Sequence, residues 1–215
     1  MKSWVRDRFL LRTHLLACAR GDRTVFSNLG FELSSGGLLR IGGPNGSGKT
    51  SLLRIICGLL EPAAGTIDWN GELTRSLGED YHRDLAYVGH LNGAKDELDV
   101  YENLAHAARA TGLAATPSDI AAALREFSLD RLARLRGKFL SQGQKRRLAL
   151  ARLRLCESRP LWVLDEPFVA LDVAGIDVVR LMIEGHLAGG GLVVLTTHQE
   201  IAIASAGAQR IELSA

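Results

Sequence analysis

Gly43-Pro44-Asn45-Gly46-Ser47-Gly48-Lys49-Thr50 is the stretch on which the reading of this chain turns. It fits the pattern G-x-x-x-x-G-K-[ST], in which glycines let the backbone curl and aim several N–H groups at anionic oxygens. Upstream, Leu38-Leu39-Arg40-Ile41 reads as a strand. Downstream, Ser51-Leu52-Leu53-Arg54-Ile55-Ile56 reads as a helix whose N-terminal dipole adds to anion binding. A strand, loop and helix of this kind hold a nucleotide triphosphate. Lys49 would reach the β- and γ-phosphates, and the Thr50 hydroxyl would meet Mg2+. The backbone from Gly43 through Pro44, Asn45, Gly46, Ser47 and Gly48 to Ser51 would wrap the phosphate chain.

Composition bounds the rest. The 215 residues suit one domain, or one domain with an inserted lobe. A content of 47% apolar and 23% charged residues describes an ordinary globular protein, and a net charge of +2 gives no argument for a nucleic-acid partner. Residues 125–159 hold eleven Lys and Arg against Glu126, Asp130 and Glu157, which reads as a solvated helical face. Cys18, Cys57 and Cys156 lack metal-ligand spacing and point to a reduced, cytosolic chain. No apolar run approaches the roughly 18 residues of a membrane span. Residues 1–12 are basic, but Phe9-Leu10-Leu11 is too short for a signal-peptide core. A membrane role would therefore need a partner.

Further strands follow from pattern. Leu15-Leu16-Ala17-Cys18 and residues 25–33 read as early strands broken at Gly21-Asp22, and Thr66-Ile67-Asp68-Trp69 runs into the hairpin signal Asn70-Gly71. Leu85-Ala86-Tyr87-Val88, Leu161-Trp162-Val163-Leu164 and Leu192-Val193-Val194-Leu195 are unbroken apolar runs, as strands buried on both faces of a parallel sheet require. Helix-rich sequence fills 98–136. The expected fold class is α/β: a P-loop NTPase with a parallel core sheet, an N-terminal antiparallel β patch and an inserted helical subdomain at about residues 92–141 of a single 1–215 domain.

Two more motifs narrow the class. Asp165 and Glu166 close the run Leu161-Trp162-Val163-Leu164, at the carboxyl end of a buried strand, where open α/β sheets bind ligands. One acid there can hold Mg2+ and the other can polarise an attacking water. Leu140-Ser141-Gln142-Gly143-Gln144 precedes a helix with Leu148, Ala151 and Leu155 on one face, and Ser141 has the side chain of a helix cap.

In this order the P-loop, Leu-Ser-x-Gly-Gln, the Asp-Glu strand end, Ala170-Leu171-Asp172 and a late His198 resemble the ATP-binding cassette (ABC) ATPases. The resemblance runs from about Leu15 to Ile211. It implies head-to-tail pairing of two cassettes, most simply two copies, with each ATP between the P-loop of one and Ser141, Gln142, Gly143 and Gln144 of the other. Glu166 would then be the general base, Asp165 the magnesium-site acid, and His198 a contact to the γ-phosphate alongside Lys49. Asp172 would act across the dimer. Two positions depart from the common pattern. His90 stands where most members place a magnesium-site Gln, and an imidazole can ligate or donate. Arg20 stands where an aromatic ring usually stacks on adenine, and a guanidinium plane can stack too.

Within that class, Tyr87-Val88-Gly89-His90-Leu91-Asn92-Gly93-Ala94-Lys95, Tyr101-Glu102-Asn103-Leu104, Pro167-Phe168 and Thr197-His198-Gln199 look like the ATPase subunits of the cytochrome c maturation system, the haem exporter ATP-binding proteins. That resemblance implies ATP and Mg2+, small integral membrane subunits, a place on the cytoplasmic face of the bacterial inner membrane, and release of a haem-loaded chaperone. The alternatives are an ABC exporter of another cargo, such as lipid or drug, and a soluble ABC protein acting on ribosomes or DNA. The soluble proteins usually carry two cassettes or a long coiled-coil insert, and this sequence has neither.

Overall fold

The computed structural model describes residues 9–21 and 23–214. Most of the basic segment weighed against a signal peptide, residues 1–8, lies outside the described residues, as does Asp22 of the Gly21-Asp22 turn. From the amino end, β1 (Leu10–Arg20) and β2 (Arg23–Ser34) precede β3 (Gly37–Gly42), which feeds α1 (Lys49–Ile56). Next come β4 (Ala64–Trp69), β5 (Glu72–Leu73), α2 (Thr74–Leu77), α3 (Glu79–Asp84) and β6 (Leu85–Val88). Helices α4 (Val100–Ala110) and α5 (Pro117–Glu126) are followed by 3-10 turns at Asp130–Leu132 and Gly137–Phe139, then α6 (Gln142–Leu155). The chain ends with β7 (Leu161–Asp165), α7 (Val173–Ala188), β8 (Leu192–Thr196) and β9 (Gly207–Glu212).

The apolar runs become the adjacent strands β6, β7 and β8 of an all-parallel sheet with the order β6-β7-β8-β3-β9, in which β6 is an edge. Side chains alternate across a strand, so an unbroken apolar run must serve two cores at once. Leu161 and Val163 pack with α1 and the antiparallel sheet, whereas Trp162 and Leu164 pack with α6, α7 and the helical lobe. Leu192 and Val194 against Val193 and Leu195 repeat that division on β8. The second sheet has the order β2-β1-β4-β5 and is antiparallel throughout. Asn70 (φ 56°) and Gly71 (φ 92°) make its tight hairpin, as their sequence signal predicts.

Strong caps fix the helices of the lobe. Asp99 and Glu102 form a reciprocal capping box at α4; Thr116 and Asp119 form another at α5, with Pro117 in its first turn.

The structure departs from the sequence reading at three places. The expected strand at Leu15-Leu16-Ala17-Cys18 is the middle of a longer strand, broken by an irregular register where Leu15 takes φ 48° and is 67% exposed. Strand β9 carries no apolar run, because as a sheet edge only Ile211 is partly covered. The basic stretch 125–159 is not uniformly solvated, for Arg146 and Arg159 are buried. Arg159 donates to the carbonyls of His82, Leu85 and Thr111, tying α3, β6 and the end of α4 together.

What matters for function is that β7, β8 and β3 are adjacent and end together, with Asp165 beside Thr196 and Thr196 beside Ile41. Their carboxyl ends and the loop after β3 share one edge of the sheet, where ligands of such folds bind.

Arg159→Met should expose the role of that buried cation. Orphaned buried carbonyls cost about 1–3 kcal/mol each, so a total near 3 kcal/mol is expected, or roughly 6–12 °C in Tm for a chain of this size. Thermal unfolding by circular dichroism would check it, and an unchanged Tm would show that the three bonds contribute nothing net.

Candidate nucleotide site

The loop 43–50 folds as its glycines require. Gly48 has φ 98°, and a Cβ there would lie 2.5 Å from Val25 Cγ1, so both backbone conformation and space exclude a side chain. Lys49, 9% exposed, begins α1, and its ammonium donates to the carbonyls of Gly43 at 2.7 Å and Pro44 at 3.0 Å. The loop therefore curls around a buried positive charge. No side chain caps α1 and its first turn holds no acidic residue, which leaves its leading N–H groups available to an anion.

Facing this loop stand the two carboxylates. The Thr50 hydroxyl donates to Asp165 Oδ2 at 2.9 Å, and the Thr196 hydroxyl donates to Asp165 Oδ1 at 2.7 Å. Thr196 Oγ1 also accepts the Glu166 N–H at 2.9 Å. That bond helps hold Glu166 at φ 49°, a left-handed conformation that costs a non-glycine residue about 1–3 kcal/mol. The strain turns the Glu166 side chain out of the sheet end. It is 12% exposed, and Oε1 is buried without a hydrogen-bond partner. His198 Nε2 lies 3.3 Å from that oxygen, close enough for charge attraction but not aligned for a hydrogen bond. A buried, unpartnered carboxylate oxygen suits a group that must accept a proton from a bound water.

An open cleft of about 430 Å3 joins these parts; Arg20, Asn45, Gly46, Gly48, Lys49, Thr50, Ser51, His90, Asp165, Glu166, Val169 and His198 line it. Arg20 donates to the Ser51 hydroxyl at 2.9 Å, which fixes its guanidinium at the rim. The chemistry fits Mg2+, which prefers oxygen ligands and is commonly held by one or two carboxylates plus phosphate oxygens and water. Thr50 and Asp165 offer those oxygens. Among the described residues there is no group of three or more His, Cys, Asp or Glu that could hold a metal ion. His90 offers nitrogen, a softer donor than this ion favours.

Ser141, Gln142, Gly143 and Gln144 do not line the cleft. They open α6 on a separate surface, where Ser141 and Gln144 form a capping box with bonds of 3.2 and 2.8 Å. A Cβ on Gly143 would lie 2.8 Å from the Ala170 carbonyl, so glycine is needed for the close approach of the loop 170–172. Arg147 grips both oxygens of Asp172 at 2.6 and 2.7 Å, and that bond, more than any other cause, holds the Asp172 carboxyl below the usual carboxylate range. Asp172 in turn caps α7 through the Gly175 N–H. Gly43, Pro44 and Ser47 shape the loop rather than line the cleft.

Sequence reasoning missed Thr196, Arg146 and Arg147. Buried Arg146 donates to the carbonyls of Gly89, Asp165 and Glu166 at 2.9, 2.7 and 2.8 Å. Its position between Gln144 and Leu148 was visible, but nothing local separates an inward arginine from a solvated one.

A P-loop, paired acids at the end of the neighbouring strand and an independently exposed signature turn define an ABC-type ATP-binding cassette. The ABC transporter family matches residues 26–169. The cytochrome c biogenesis ATP-binding export protein CcmA of Nitrosospira multiformis is 50% identical over 199 residues, covering 93% of this chain and 96% of the relative. The protein of the same name from Dechloromonas aromatica is 48% identical, covering 95% of this chain and all (100%) of its own length. A solved ATP-binding subunit of an ABC transporter superposes with a TM-score of 0.78 at 30% identity, covering 88% of this chain and 79% of that one. The chain belongs to the CcmA family of ABC ATP-binding proteins.

Thr196→Val keeps the shape of this buried residue while removing the hydroxyl between Asp165 and Glu166. ATP affinity should stay within about threefold while hydrolysis falls about tenfold, a barrier change near 1.4 kcal/mol. Calorimetric titration with a slowly hydrolysed analogue, beside a phosphate-release assay, separates the two effects. Equal loss of both would mean that Thr196 only stabilises the fold.

Proposed function

We propose that this ATPase is the nucleotide-hydrolysing subunit of a bacterial inner-membrane complex for cytochrome c maturation. It would work at the cytoplasmic face, bound to small integral membrane subunits, and drive release of a haem-loaded chaperone. Among the described residues no helix is long and apolar enough to cross a membrane, so such attachment would run through other proteins. The near full-length match to proteins named for cytochrome c biogenesis supports this cargo over lipid or drug export.

The single observation that carries the chemistry is the buried Oε1 of Glu166, which has no hydrogen-bond partner and lines the same cleft as Lys49 and Thr50. Glu166 accepts the proton of a water attacking the γ-phosphate. Lys49 leaves its loop carbonyls for the β- and γ-oxygens, where its charge offsets the charge that develops on them. His198, exposed and beside Glu166, would donate to the same phosphate. Mg2+ held at Thr50 and Asp165 would supply charge neutralisation on the bridging oxygens, and His90 would reach its water shell. Arg20 would lie flat against adenine. The backbone of residues 43–51 would carry the rest of the phosphate contacts.

Ser141, Gln142, Gly143 and Gln144 cannot serve the cleft of their own chain, since they lie on a separate surface. They would complete the site of a second copy, with Asp172 beside them. The helical subdomain at about residues 92–141 would carry that surface and move with the membrane subunits.

Glu166→Gln should leave ATP affinity intact and slow hydrolysis at least about 100-fold, as expected on losing a general base. In a strain lacking the gene, haem staining should find no mature c-type cytochromes, and the Glu166→Gln copy should not restore them. Normal c-type cytochromes without the gene would overturn the cargo, and wild-type turnover in Glu166→Gln would overturn the base.

Ser141→Arg tests the shared site. ATP binding by each monomer should persist, while ATPase activity loses its dependence on protein concentration and drops at least about tenfold through lost charge stabilisation. A wild-type rate in this variant would mean that the signature turn contacts no nucleotide.

A further inference from the structure

Arg146 lies 4% exposed near the start of α6 and is not among the residues that line the nucleotide cleft. One Nη donates to the Gly89 carbonyl at 2.9 Å and reaches Asn92 Oδ1 at 3.5 Å. The other donates to the carbonyls of Asp165 at 2.7 Å and Glu166 at 2.8 Å. None of these bonds uses a carboxylate, so the acidic side chains stay available to water, ion and phosphate. The nearby Asp165 and Glu166 charges favour the guanidinium, but neither carboxylate is bonded to it. Burial lowers the guanidinium's affinity for its proton, no carboxylate is hydrogen-bonded to it, and its Nε has no partner. What it gains is geometry, because a planar fork reaches three carbonyls on two backbone segments at once.

Both segments adjoin the proposed chemistry. Gly89 immediately precedes His90, and Glu166, in its left-handed conformation, donates its N–H to Thr196 while its carbonyl accepts from both Arg146 and the Val169 N–H. We propose that Arg146 is a positioning residue that ties the loop 89–92 to Glu166, so that the base is aligned for the attacking water only while that loop is seated. Displacing the loop then slows hydrolysis and leaves ATP affinity unchanged. This rests on Glu166 being the base.

The test compares Arg146→Lys and Arg146→Gln with wild type and with Glu166→Gln. Lysine keeps the charge but offers a point in place of a fork, and glutamine offers a single amide group. In both Arg146 variants kcat should fall about 10–100-fold, the range that misplacement of a reacting group by about 1 Å produces. KM for ATP and affinity for a non-hydrolysable analogue should remain within about threefold, as for an interaction felt only in the transition state. Amide hydrogen exchange should speed up in 89–92 and in 165–168 together.

Wild-type kcat in Arg146→Lys would overturn the inference, because charge alone would then suffice. So would a joint fall of kcat and affinity, faster exchange in only one segment, or an Arg146→Lys chain that fails to fold, each of which makes Arg146 a stability residue. If Glu166→Gln itself turns over normally, the base has been misassigned whatever Arg146 does. If Glu166→Gln is inactive while both Arg146 variants are normal, this inference alone fails.

Discussion

The carboxylate of Asp165 is held from two sides, by the Thr50 hydroxyl on one oxygen and the Thr196 hydroxyl on the other. Thr50 belongs to the helix after the phosphate loop, Asp165 ends β7 and Thr196 ends β8. One buried side chain thus fixes three elements relative to one another where the nucleotide must sit. Hydrogen bonds to an ionised acceptor are about twice as strong as neutral ones, and burial makes their loss expensive. Thr196 also accepts from the Glu166 N–H, so the same short chain of bonds that places Asp165 sets the direction of the next residue. The strained backbone of Glu166 depends on this arrangement, because a left-handed glutamate persists only where neighbours over-determine it.

Much of this was legible in the residues. The phosphate loop was written in glycines whose positive φ values no other residue adopts cheaply, and the parallel strands were written in apolar runs that only two-sided burial explains. The Asn70-Gly71 hairpin and the caps of the lobe are likewise local, set by side chains within a few positions of the backbone they serve. Strand β9 was hidden because pairing with β3 on one side is backbone chemistry, with no demand on side-chain polarity. The break at Leu15 was hidden because no turn residue marks it; it faces Gly65 on β4, where an added Cβ would come within 2.4 Å of the His14 carbonyl.

The site divides along the same line. Lys49, Thr50, Asp165 and Glu166 announce themselves by motif, since their roles need fixed spacing from a glycine loop or a strand end. Thr196 and Arg146 act through partners far away in sequence, and a threonine at a strand end or an arginine in a basic run has many blander uses. Arg20 falls between. The position was singled out for its place before the first turn, and the bond to Ser51 explains how a flexible cation can present a flat face at the cleft.

Helix α6 brings the two functional surfaces into one rigid element. Its cap, Ser141, opens the exposed signature turn, and Arg146, five positions on and about 7.5 Å along the axis, holds the carbonyls of Asp165 and Glu166. Gly143 meets the carbonyl of Ala170 and Arg147 grips Asp172, so the loop that continues from Glu166 is fastened to the same helix turns. A helix transmits displacement along its axis with little loss, because shortening or bending it breaks backbone bonds. Any contact that tilts the start of α6 must therefore move the carbonyls of Asp165 and Glu166, or break the bonds to them. The signature turn and the cleft are separate surfaces of one chain, joined through the bonds that α6 makes to both.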